Sequence, residues 1–157
     1  MARPRGGEWL GGEMASLRQA GADVLVSMLT AAEDHELGLD REAAEAAAAG
    51  MRFVGLATPD RGVPPARPPF EALVADLVAE LERDRHVVVH CRMGIGRSSM
   101  VAGAVLMARG MPAPDAWAAI SRARGLTVPD TSEQRRWVEA MMRPAGPTSV
   151  IRRALGW

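Results

Sequence analysis

The stretch His90-Cys91-Arg92-Met93-Gly94-Ile95-Gly96-Arg97-Ser98 sets the single thiol of the chain six residues before an arginine, with two glycines between them. It follows the apolar run Val87-Val88-Val89 and leads into a helical pattern that lasts until Gly110. In an open α/β sheet, ligands sit at the carboxyl end of a strand and beside the positive end of the next helix. The glycines let successive backbone N–H groups turn toward one centre, which makes an anion nest suited to a tetrahedral oxyanion. Arg97 adds a planar fork that grips two oxygens at once, as an ammonium cannot. An ordinary thiol is only about 3% ionised at pH 7. Amide dipoles, a helix start and a guanidinium all favour the thiolate, so Cys91 reads as a nucleophile aimed at the phosphorus of a phosphate monoester. The Ser98 hydroxyl is placed to hydrogen-bond the sulfur and to stabilise it as a leaving group.

Arginine is so frequent here that a Cys followed six positions on by an Arg has a chance of about one in eight. Adding Gly94, Gly96 and Ser98 at their own frequencies lowers the chance to roughly 1 in 10,000, so the whole pattern, not the Cys–Arg spacing, is informative. That pattern resembles the HCX5R[ST] loop of cysteine-dependent protein tyrosine and dual-specificity phosphatases. Thr58-Pro59-Asp60-Arg61-Gly62-Val63-Pro64 resembles the mobile acid loop of compact members, such as those similar to the cyclin-dependent-kinase-associated phosphatase. Val128-Pro129-Asp130-Thr131-Ser132-Glu133-Gln134 resembles a downstream segment of small relatives. The resemblance runs from about Gly7 to Met142 in element order. It implies Cys91 as nucleophile, Arg97 as phosphate clamp, Ser98 as thiolate partner and Asp60 as general acid. Residues 92–97 (Arg92, Met93, Gly94, Ile95, Gly96, Arg97) would then bind the phosphate, and His90 would support the loop.

Asp60 also has a physical case of its own. A departing alkoxide or phenolate needs a proton, and an acid on a loop can deliver it once the substrate is bound, then take a proton from the hydrolytic water. Other polar groups read more plainly. His35 and His86 stand among charges and are expected in solvent; Glu33, Asp34 and Glu36 read as a solvated acidic turn whose charge would repel phosphate. Gln134, which directs the attacking water in some relatives, reads as an exposed helix position. Trp117 and Trp137 read as packing residues and the ten methionines as core filler.

The elements that must position the loop can be read from periodicity and punctuation. A helix is expected over 13–20, closed by Gly21, then a buried strand over 24–30. Asp40 can cap a helix through Ala49, with a second strand over 52–56. Residues 57–69 contain five prolines and must form a shaped loop. Leu73, Leu77 and Leu81 mark an amphipathic helix over 69–83. After the third strand, 87–89, come helices over 97–110, 114–123 and 131–142, the last with Asp130 and Glu133 at capping-box spacing. Alternating strands and helices predict a single α/β domain, 1–157, with a central, mainly parallel sheet of about four or five strands flanked by helices. Residues 1–7 and 144–157 are read as loose termini.

Composition narrows the functional classes. Nineteen basic residues balance nineteen acidic ones, so the bulk field that draws proteins to nucleic acid or anionic membrane is missing. All nineteen basic residues are arginine, which excludes Schiff-base lysine chemistry and a Walker-type loop. One cysteine and three histidines give no structural zinc set at finger spacing. The longest uncharged apolar run, 100–108, is about half of a membrane span. No secretory signal is visible in residues 1–12, so a soluble, cytoplasmic setting is the expectation. The combined reading is a metal- and cofactor-free phosphate-monoester hydrolase acting on phosphorylated protein or peptide, phosphotyrosine first. The alternatives are a noncatalytic phosphopeptide-binding module on the same scaffold and a sulfur-transfer or oxyanion-reducing enzyme. Oligomeric state is left open.

Overall fold

The structure, a computed structural model, describes residues 1–143; the 144–157 tail lies outside the described residues. The chain forms a three-stranded parallel sheet between two layers of helices, and the strands are β1 (Ala22–Ser27), β2 (Arg52–Gly55) and β3 (His86–His90). Their order is β2-β1-β3, with Leu25 beside Phe53 on one flank and beside Val88 on the other. This is the expected α/β domain, but among the described residues the sheet has three strands rather than four or five. The other described elements are a short 3-10 turn at Gly7–Trp9 and the helices α1 (Leu10–Gln19), α2 (Ala31–Glu36), α3 (Glu42–Ala48), α4 (Arg67–Glu82), α5 (Arg97–Ala108), α6 (Ala113–Arg124) and α7 (Ser132–Met142).

Alternation along β1 splits the core in two. Val24 and Val26 join Phe70, Leu73 and Leu77 of α4, Met100, Val101 and Ala104 of α5, Trp117 of α6 and Val138 of α7. Leu25 faces the other way, against Leu10 and Met14 of α1 and Ala46 of α3. β1 is therefore the central strand, buried along its length except at Asp23. β3, which the sequence reads as the buried strand Val87-Val88-Val89, is instead an edge strand and is only half-buried along Val87–Val89.

Several helix ends differ from the sequence reading for local reasons. α7 is capped by Thr131 and Gln134 instead of Asp130 and Glu133; the Thr131 side chain accepts from the Gln134 N–H, and the Gln134 side chain accepts from the Thr131 N–H. Asp40 does not cap α3; its carboxylate lies 3.2 Å from His35 Nδ1. His35 and His86 are exposed, as expected. The indole of Trp117 is buried against Gly103, where an added Cβ would lie 2.6 Å from the ring, so glycine is what lets α5 and α6 close. Trp137 meets Phe70 edge-to-face at 5.0 Å, which bears out packing roles for both tryptophans.

Residues 1–7 are tied down rather than loose. The backbone of Ala2 pairs in parallel with Cys91, the Met1 N donates to the Val89 carbonyl at 2.6 Å, and the Gly7 N–H donates to Gly38. The physical reason is the open edge of β3, whose unpaired backbone groups need partners.

Candidate active site

β3 ends at His90, and the next residues bend through a tight loop into α5, whose first residue is Arg97. Gly94 sits at φ 70°, a left-handed conformation that glycine adopts without strain. An added Cβ there would also lie 2.3 Å from the Met1 backbone, so no side chain fits. On the outer side of the loop, Arg124 at the end of α6 donates from Nε to the Gly94 carbonyl at 3.1 Å. In a trans peptide the N–H opposes the C=O, so fixing that carbonyl outward directs the Ile95 N–H toward the loop's interior.

Cys91 is 3% exposed and forms the floor of a cavity of about 260 Å³ whose wall includes Asp60, Arg61, Met93, Arg97, Asp130 and Gln134. Its Sγ accepts from the Gly94 N–H at 3.3 Å and lies 3.5 Å from the Ser98 Oγ. Burial pushes the Cys91 thiol up, but the Ser98 hydroxyl and amide, the Gly94 amide and the Arg97 guanidinium outweigh it, and the pKa falls below the ordinary thiol value. A thiolate so held is both nucleophile and competent leaving group.

Arg97 is 2% exposed and fixed by the elements around it. Its Nη1 and Nη2 grip the two carboxylate oxygens of Glu33 at 2.7 and 2.8 Å. Nη1 also donates to the Thr58 carbonyl at 2.9 Å, and Nη2 to Asp60 Oδ1 at 3.0 Å. Among the described residues the Nε–H has no acceptor, so one edge of the guanidinium remains for an incoming anion, and Asp60 occupies part of it. The structure therefore brings Cys91, Arg97 and Asp60 together around one cavity, with Arg92, Met93, Ile95 and Gly96 also in its wall, while Ser98 and Gly94 lie outside that lining and reach the site only through the Cys91 sulfur.

Two expectations are overturned here. Glu33 does not belong to a solvated turn: it is buried on α2 and clamps Arg97, which holds its carboxyl down at about 2 against burial that would raise it. Its charge and that of the Arg97 guanidinium offset each other in part. Thr30 and Glu33 stand at capping-box spacing and cap α2 in that way, which is the sequence signal for this helix. Gln134, expected on an exposed helix face, is fully buried in the cavity wall. Asp34 is partly buried, with its carboxyl pushed up by burial and by neighbouring Glu42. Glu36 is exposed and pairs with Arg92, whose guanidinium is drawn to α2 at 3.1 Å.

His90 is buried beneath the loop, its Nε2 3.0 Å from Glu42 Oε1. The sequence offers no sign of that partner, because Glu42 is 48 residues away in an alanine-rich helix. Among the described residues no His, Cys, Asp and Glu cluster could hold a metal ion, and no helix is long and apolar enough to cross a membrane.

A family model described as "Polymorphic toxin system, DSP-PTPase phosphatase" matches residues 1–111. Among solved structures, the kinase associated phosphatase KAP, with its catalytic-site cysteine substituted by serine, aligns at TM-score 0.78 and 17% identity, over 92% of this chain and 86% of that one. Tk-PTP in its active form aligns at TM-score 0.73 and 22% identity, covering 86% and 87%. PTPMT1 in complex with PI(5)P aligns at 0.72 and 18%, covering 98% and 91%. No curated protein matches the chain. At these identities the structural likeness is one of fold. The family model, covering well over half of the sequence, gives the assignment: the chain belongs to the DSP-PTPase phosphatase family of polymorphic toxin systems, within the dual-specificity phosphatase superfamily and with the fold of compact members like KAP.

Proposed function

We propose that this protein hydrolyses phosphate monoesters through a covalent thiophosphate on Cys91. The observation that carries the reading is a thiol of lowered pKa at the floor of an open cavity, with Asp60 and Arg97 paired in its wall. Substrate phosphate enters against the backbone N–H groups of residues 92–97 and the Arg97 guanidinium, which stabilise the charge that builds on the equatorial oxygens. The Cys91 Sγ forms a bond to phosphorus as the P–O ester bond breaks. Protonated Asp60 gives its proton to the leaving oxygen. In the second step Asp60, now a carboxylate, takes a proton from water; the water oxygen bonds to phosphorus, and the S–P bond breaks. The Ser98 hydroxyl donates to the departing thiolate, and inorganic phosphate leaves.

The substrates proposed are phosphorylated side chains of proteins or peptides, phosphotyrosine first, with phosphoserine and phosphothreonine also admitted. Two features of the rim support a single phosphate over a polyphosphorylated headgroup. Arg92 is paired with Glu36, and Arg61 faces Asp130 at 3.6 Å, so neither rim arginine is uncommitted.

The test is turnover of p-nitrophenyl phosphate in EDTA by the wild type and by Cys91→Ser. The substitution is expected to abolish hydrolysis while oxyanion binding persists. Equal rates in the two proteins would remove the mechanism.

A further inference from the structure

Gln134 bridges the two loops of the site, and each polar end of its side chain is engaged by backbone of the protein. Its side-chain Nε2 donates to the Gly62 carbonyl at 2.9 Å across 72 residues of sequence, and its Oε1 accepts from the Thr131 N–H at 3.3 Å. Gly62 closes the turn that presents Asp60, since its N–H donates to the Pro59 carbonyl at 3.0 Å. Within that turn Arg61 has a φ of 56°, a left-handed conformation that a non-glycine residue holds only when its surroundings impose it. The surroundings are visible: Gly62 is held by Gln134 on one side, and the Arg61 guanidinium lies 3.6 Å from Asp130 on the other. The opposite face of Gln134 lies against the loop of Cys91, where a Cβ on Gly96 would lie 2.8 Å from Oε1.

We infer that Gln134 is a positioning residue for the proton transfer, a latch that holds the Asp60 turn over Cys91. This rests on the proposed role of Asp60 as acid. Loss of the latch leaves the nucleophile intact and lets the acid swing away, so the cost falls on substrates that need the proton most. It also falls through Asp60, so it vanishes where Asp60 is absent.

Two variants isolate the contact. Gln134→Glu keeps the volume and the acceptor for Thr131 but loses the donor to Gly62; Gln134→Met is neutral and loses both, and thermal unfolding of each verifies the fold. Relative to the wild type, both are expected to lose about tenfold more activity on phenyl phosphate than on 2,4-dinitrophenyl phosphate, a fraction of what a general acid contributes. In an Asp60→Ala background the same changes are expected to cost nothing further on phenyl phosphate, and rapid mixing should show no burst of nitrophenolate. An undiminished extra loss in the Asp60→Ala background would overturn the latch, and a burst with unchanged leaving-group sensitivity would overturn it and assign Gln134 to the water step. Those outcomes leave Cys91-dependent hydrolysis standing, whereas equal rates in wild type and Cys91→Ser remove the parent reading and the latch with it.

Discussion

Arg97 shows how one side chain acquires its chemistry from partners far away in sequence. The guanidinium is charged at any relevant pH, but only its contacts with Glu33 and the Thr58 carbonyl set which edge faces the cavity. The Glu33 carboxyl titrates at about 2, below its ordinary 4.5. A depressed carboxyl contributes stability that is complete above about pH 5 and is lost as the pH falls toward 2. Glu33→Gln is therefore expected to destabilise the protein at pH 7 by about 3 kcal/mol, the order found when one partner of a buried pair is removed. Urea unfolding at descending pH should show that gap narrowing. Cys91 moves in the same direction: its thiolate should persist to lower pH than that of a free thiol. Iodoacetamide alkylation should have its midpoint below the ordinary thiol range, and Ser98→Ala should shift that midpoint upward.

At the scale of elements, the site is a meeting of three segments: the strand-to-helix loop after β3, the loop after β2 and the start of α7. The second touches the first through Asp60 and Arg97, 3.0 Å apart. A substrate phosphate must share or displace that carboxylate, so Asp60→Asn should tighten tungstate binding by about three- to tenfold while slowing turnover, the size expected for an exposed charge close to the anion. Isothermal titration of both proteins gives the ratio; unchanged affinity would mean that Asp60 does not oppose the anion. The loop after β3 was legible in the sequence because its residues are contiguous and their spacing is unusual. Glu33, Glu42 and Gln134 were not, because each is a polar residue whose burial depends on which distant segment packs over it.

The whole molecule supplies rigidity where the loops meet. β1 at the centre of the sheet is sealed on both faces, and α5, which starts at Arg97, packs between α4, α6 and α7. Gly103 is the close point of that packing. Gly103→Ala would drive a methyl into the Trp117 ring and is expected to cost about 1–3 kcal/mol in urea unfolding, with the alkylation midpoint of Cys91 little changed. If stability is unaltered, α5 and α6 do not rely on that contact.

The sequence by itself determined the alternation of strands and helices, the position of the anion loop and the identity of its thiol, because periodicity and a contiguous motif are local properties of the chain. Tertiary structure alone decided how many strands the sheet holds, that the first residues would cover the edge of β3, and that Glu33 would grip Arg97 while Gln134 reached Gly62. Those outcomes depend on burial and on hydrogen bonds between residues tens of positions apart, and no spacing rule along the chain encodes them.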